Sequence, residues 1–136
     1  MGGPFVSKEA PLAHKRKRVV LVSTPGLVQQ ATRSTLALCP DVDLVAIASG
    51  ALSATRVMSQ MQPDVLLIDA NLPEEEMEAL LRWAKEHCPG TRCVVSTSTS
   101  QHSDRALVSG AHAAIHRAGL ADQLHATLSH LPTFES

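Results

Sequence analysis

Pro63-Asp64-Val65-Leu66-Leu67-Ile68-Asp69-Ala70-Asn71-Leu72-Pro73 decides the fold class. Val65 to Asp69 reads as a strand with no polar residue until its last position. A run that apolar suits a parallel strand covered by helices on both faces. An aspartate follows where the strand ends and the chain must turn. In open parallel sheets the chemistry gathers in the crevice beyond the carboxyl ends of the strands, and Asp69 falls at that edge. The plainer reading is that Asp69 only turns the chain, as aspartate often does after a strand.

Outward from this stretch, strands and helices alternate. Val19-Val20-Leu21-Val22 is a short strand, followed by the turn Ser23-Thr24-Pro25-Gly26 and a helix from about Leu27 to Leu38, closed by Cys39-Pro40. Leu44 to Ala48 is a second strand, and Ser49-Gly50 leads into a helix ending near Met61. Glu74 to His87 is a helix whose acidic first turn complements its dipole. Ala79, Leu80, Trp83 and Ala84 are expected to form its buried stripe. Arg92 to Thr97 is a fourth strand. Asp104 to Ser109 is expected as a short helix closed by Gly110, and Ala111 to His116 as a fifth strand. Leu120, Leu124, Thr127, Leu128 and Leu131 mark the face of a last helix. Five βα units without an internal repeat predict an α/β fold, a doubly wound five-stranded parallel sheet with helices on both sides.

At 136 residues, 44% hydrophobic and 18% charged, the chain fits one folded domain with a single sizeable core. Residues 17–131 are read as that domain, 1–16 as a flexible basic tail and 132–136 as a C-terminal tail or the start of a linker. The apolar runs are too short for a membrane-spanning helix, and the N-terminus lacks the apolar core of a secretory signal, which points to the cytoplasm. Phe5, Trp83 and Phe134 are the only aromatic residues, so base-stacking platforms are excluded within the domain. Residues 1–18 carry five basic side chains against Glu9, a balance of +4, whereas the remainder carries seven basic and twelve acidic, a balance of −5. The run His14-Lys15-Arg16-Lys17-Arg18 suits an acidic partner or nucleic acid, or more plainly a solvated lead-in to the first strand.

Parallel strands would line up Ser23 and Thr24, then Asp69, then Ser96 and Thr97, then Arg117 along one edge. Here the chain resembles the receiver domains of bacterial response regulators (the CheY-like family), particularly those of the LuxR type. The resemblance spans residues 17–131. It rests on Arg18 to Val22 followed by a Leu27-Val28 helix start, on Pro63 through Pro73, on Pro89-Gly90-Thr91-Arg92, and on Ser109-Gly110-Ala111 leading to a basic residue. It implies a flavodoxin-like (βα)5 sheet of strand order 2-1-3-4-5 and a two-component phosphorelay role. In that family the strand-three aspartate accepts a phosphoryl group from a histidine kinase, and Asp69 matches it. The hydroxyl after strand four matches Thr97, with Ser96 the other candidate, and the basic residue after strand five is Arg117.

Three departures stand out. The family's acidic pair after strand one, which helps bind Mg²⁺, is replaced by Ser23 and Thr24. Arg117 stands where the family has lysine, and Ala114 where it has an aromatic switch residue. Mg²⁺ favours carboxylate oxygens, so binding at Asp69, aided by the Asn71 carbonyl, is expected to be weak unless one of Glu74 to Glu76 stands in. Arg117 is expected to hold Asp69 through its planar fork. The implied protein is an atypical receiver and not an enzyme. It would work through contacts with a histidine kinase, an output domain or a second copy, by way of its last two helices and the strand between them. Alternatives are a conventional phospho-accepting receiver, the N-terminal receiver of a longer DNA-binding or ATPase regulator, and a flavodoxin-like small-ligand binder.

Other motifs offer less. His87, Cys88 and Cys93 lack a fourth metal ligand. His112 and His116 are placed on one face of a strand, and His125 and His130 on the last helix, as conceivable pH sensors. The hydroxyl run Ser96 to Ser100 reads as a loop that could cradle phosphate, and Ser103-Asp104 as a helix cap.

Overall fold

Every strand of the central sheet sends alternate residues into one of two cores. In the computed structural model, which describes residues 16–69 and 71–130, the strands are β1 (Lys17–Val22), β2 (Val42–Ala48), β3 (Val65–Ile68), β4 (Arg92–Thr97) and β5 (Ala113–His116). They are all parallel, in the order β2-β1-β3-β4-β5. The helices between them are α1 (Leu27–Ala37), α2 (Ala51–Met61), α3 (Glu74–His87) and α4 (Ser100–Val108). A one-turn 3₁₀ segment (Arg117–Gly119) then leads into α5 (Leu120–His130). Val20, Val22, Leu66, Ile68, Cys93 and Val95 pack with Met58, Leu80, Leu81, Ala84 and Ala106 of α2, α3 and α4. Val19, Leu21, Val65, Leu67, Val94 and Ile115 pack on the other side with Leu36 of α1 and Leu120, Leu124 and Leu128 of α5. Coverage of both faces explains why β3 is apolar throughout. The class and strand order match the expectation.

Several elements differ in detail. The α3 stripe is Met77, Leu80, Leu81 and Ala84, the i, i+3, i+4, i+7 set; Ala79 is exposed and Trp83 only half-buried, against the expected stripe. Helix α4 begins at Ser100, four residues before the expected Asp104. Its cap is Thr99, whose hydroxyl accepts from the His102 amide at 3.0 Å, so capping chemistry prevails over the weak helix propensity of the hydroxyl run. Strand β5 starts at Ala113, after a turn in which Gly110 takes φ +116. His112 therefore precedes the strand and does not share a strand face with His116. The 1–15 part of the expected tail, together with Leu131 and residues 132–136, lies outside the described residues; Arg16 is described and exposed.

At the N-terminal edge of the sheet, side chains tie the loops together. The Arg18 guanidinium donates to the carbonyls of Met61 (2.8 Å) and Gln62 (3.0 Å), and Asp64 accepts from the Arg18 amide (2.8 Å). Gln62 closes α2 in the left-handed region, φ 46 and ψ 64. A side chain there costs roughly 1 kcal/mol. Gln62→Gly should therefore raise the thermal midpoint by a few degrees; a scanning-calorimetry trace showing no rise would mean the strain is absent.

Candidate functional site

Two strands deliver their polar ends to the same place. Beyond β1 and β3 the backbone pairing runs one residue further, with the Asp69 amide donating to the Val22 carbonyl (2.9 Å) and the Ser23 amide to the Ala48 carbonyl (3.0 Å). Ser23 and Asp69 thus sit side by side at the C-terminal edge. Both are buried, Asp69 with 2% of its surface exposed. Asp69 Oδ1 accepts from the Thr32 hydroxyl of α1 at 3.0 Å, inside the protein. Its Oδ2 is buried without a hydrogen-bond partner. Burial pushes the carboxyl pKa upward; the nearby Ser23 and Thr32 hydroxyls and, least, the Arg117 charge pull it back down. The hydrogen-bond partner of Ser23 within range is Asn71, not Asp69, so the Thr32 bond is the formed contact.

Asn71 occupies the space between the two loops. Its amide nitrogen donates to Ser23 Oγ (3.3 Å) and the Thr24 carbonyl (3.1 Å), and its side-chain oxygen accepts from the Thr24 amide (3.2 Å). The Thr24 hydroxyl donates to the Asn71 carbonyl at 3.4 Å. Ser23, Thr24 and Asn71 therefore satisfy one another.

The glutamates that follow face other duties. Glu76 Oε1 accepts from the Ala51 amide at the start of α2 (3.1 Å). Glu74 pairs with Arg105 of α4 (3.1 Å), which also reaches Glu78 (3.4 Å). Glu75, between them, is exposed.

The remaining expected residues divide between the faces. Register pairs Ile68 with Val95 and Ser96 with Ile115, which sets Ser96 beside Asp69 on the α1/α5 side. Ser96 Oγ, like Asp69 Oδ2, is buried and unpartnered. Thr97 points to the opposite side, where its hydroxyl meets Ser103 of α4 at 2.7 Å and donates to the Ile115 carbonyl at 3.4 Å. Arg117 is exposed in the 3₁₀ turn and makes no ion pair with Asp69 among the described contacts. The expected Asp69–Arg117 fork is not formed: the short turn after β5 carries the guanidinium outward, while Thr32 takes the carboxylate oxygen. Ala114 is half-buried.

Thr32 is the site residue that sequence reading missed. Its one signal is a hydroxyl four residues before Leu36 on the buried stripe of α1.

Two of the histidines, His112 and His116, act as backbone pins. His112 Nδ1 accepts from the Cys93 amide (2.9 Å), and burial, then the Arg92 charge, lowers its pKa. His116 Nδ1 accepts from the Ala118 amide (3.1 Å). The Cys93 thiol is pushed up to about 12, first by burial, so it stays protonated. Among the described residues no three His, Cys, Asp or Glu side chains gather as metal ligands.

No family model matches the chain. It is 32% identical over 92 residues, 68% of its length, to protein-glutamate methylesterase/protein-glutamine glutaminase 2 of Cereibacter sphaeroides. It is 31% identical over 98 residues to an uncharacterized transcriptional regulatory protein, YhcZ, of Bacillus subtilis. The matches span only 25% and 46% of those proteins. Its fold is similar to the signal receiver domain of the putative response regulator NarL from Mycobacterium tuberculosis. The TM-score is 0.73 at 20% identity, covering 85% of this chain and 95% of that one.

Two stability measurements test this geometry. With the folded pKa of Asp69 above its ordinary 3.8, ionisation opposes folding, so stability falls as pH rises from 3.8 through the folded value. Asp69→Asn should therefore unfold at higher temperature than the parent at pH 7, and the difference should vanish below about pH 3.8. Thr32→Val leaves the buried carboxylate with no partner and should cost about 1–3 kcal/mol in urea unfolding at pH 7, whereas Thr32→Ser should cost much less.

Proposed function

We propose that this chain is a receiver domain of the two-component response-regulator type and an atypical one, with Mg²⁺-dependent phosphorylation at Asp69 weak or lost and signalling carried by protein–protein contact. The observation that carries this reading is the Ser23–Thr24–Asn71 lattice, in which neutral groups close on one another where the family places carboxylates. Mg²⁺ requires near-octahedral oxygen donors and usually engages carboxylates. The donors present do not fit it: one buried carboxyl held by Thr32, a side-chain amide already bonded, and an Asn71 carbonyl taken by the Thr24 hydroxyl. No phosphoryl-transfer step is assigned through the ion.

The contact surface in this reading is α4, β5 and α5, facing a histidine kinase, an output domain or a second copy. Leu107 and Val108 of α4 support it, Val108 being 87% exposed. No helix among the described residues is long and apolar enough to cross a membrane; a cytoplasmic place belongs to this proposal.

A second reading has the domain as the receiver of a longer regulator with a DNA-binding or ATPase output. It draws on the relatives, whose matched stretch is a minor part of a longer chain. The methylesterase activity named for one relative lies with a protein of which the match covers a quarter, so no enzyme activity is carried over.

Incubation with Mg²⁺ and a small acyl phosphate, followed by intact-mass measurement, tests the proposal. Little or no adduct is expected, and Mg²⁺ titration should leave the amide shifts of Asp69 and Asn71 nearly unmoved at millimolar ion. Ready formation of an Asp69 phosphoryl adduct would establish the conventional receiver instead.

A further inference from the structure

Among the described residues, no strand pairs with the sheet edge farthest from β5. Strand β2 is seven residues long, Val42-Asp43-Leu44-Val45-Ala46-Ile47-Ala48, and stands at the end of the sheet order. The other edge, β5, has four. Exposed edges present a row of unpaired amides and carbonyls, and natural proteins usually blunt them with proline, lysine or short length. The one charge within β2 is Asp43, and among the described residues the one such device is a bulge where the pairing steps from Leu44 to Ala46.

Beside this strand lies a cleft of about 900 Å³ between the second half of α1 and the start of β2. Its apolar wall includes Leu36, Leu38 and Leu44, and Leu38 is 84% exposed. Arg16 and Arg33 line the same cleft. Neither has an ion-pair or hydrogen-bond partner among the described residues, whereas Arg18 and Arg105 are both engaged. Asp43 is the one acid in the lining, and Asp41 nearby is taken by His125 of α5. The remaining chain beyond residue 18 is net acidic, so a cationic cleft on an apolar edge is a local exception to the charge of the domain.

We infer that the β2 edge and the Arg16–Arg33 cleft form a docking site for an acidic, extended polypeptide segment, which adds to β2 as a strand and sets its carboxylates against the two guanidinium groups. Main-chain pairing would supply affinity, and alternating apolar and acidic side chains the selectivity. Two arginines and no aromatic side chain are a poor footing for nucleic acid. A second copy would bring its own Arg16 and Arg33 toward a like-charged cleft. The inference is independent of whether Asp69 is phosphorylated.

Fluorescence anisotropy on the full chain, with a labelled short peptide alternating glutamate and valine, tests it. Saturable, salt-sensitive binding is expected, together with NMR shifts confined to the Val42–Ala48 amides and the cleft. Exposed-site variants Arg16→Glu and Arg33→Glu, checked for folding by circular dichroism, should together weaken binding about ten-fold or more. Equal binding of a lysine–valine peptide, indifference to both variants, unmoved β2 amides, tighter binding of an oligonucleotide, or a dimer that excludes the peptide in light scattering would each overturn it.

Discussion

Covering a parallel sheet on both faces is the constraint on which the rest of this protein depends. Once α1 and α5 close one side and α2, α3 and α4 the other, most strand residues enter a core, and buried polar groups gather where strands run out. Asp69 and Ser23 lie one step beyond that boundary, close enough to be buried and yet at the edge where a crevice opens. A carboxyl in such a position must find a hydrogen bond or raise its pKa. It does some of each, through Thr32 on one oxygen and through burial of the other.

The neighbouring loops answer the same constraint with neutral groups. Asn71 offers donor and acceptor together, so it can satisfy the serine, the threonine and two backbone groups without a counter-ion. A pair of carboxylates in that place would repel each other and Asp69 unless a cation joined them. With Ser23 and Thr24 there, the two loops close on one another through neutral hydrogen bonds alone.

Much of the fold was legible because its signals are local and redundant. The unbroken apolar run of β3, the Glu74–His87 helix and the Arg92–Thr97 strand coincide with their expected limits within one residue. Misreadings came where two local signals compete. Thr99 caps a helix inside a stretch that composition marks as loop, and in α3 the expected stripe shares Leu80 and Ala84 with the observed one but takes Ala79 and Trp83 where Met77 and Leu81 complete it. The placement of Ser23, Asp69, Ser96 and Thr97 at the strand ends was legible in the sequence, because register fixes their height along the sheet. The Thr32 bond was not, because nothing local to α1 says which strand end its hydroxyl will meet. The outward course of Arg117 was equally hidden, since it depends on a single 3₁₀ turn.

Side-chain alternation at the end of β4 has one more effect. Ser96 shares the compartment of Asp69, while Thr97 opens into the compartment of α4 and is held there by Ser103. Among the described residues, no side-chain contact joins the carboxyl to Thr97 across the sheet. The link to α4 runs around the sheet instead, along the loop after Asp69 to Glu74 and its pairing with Arg105.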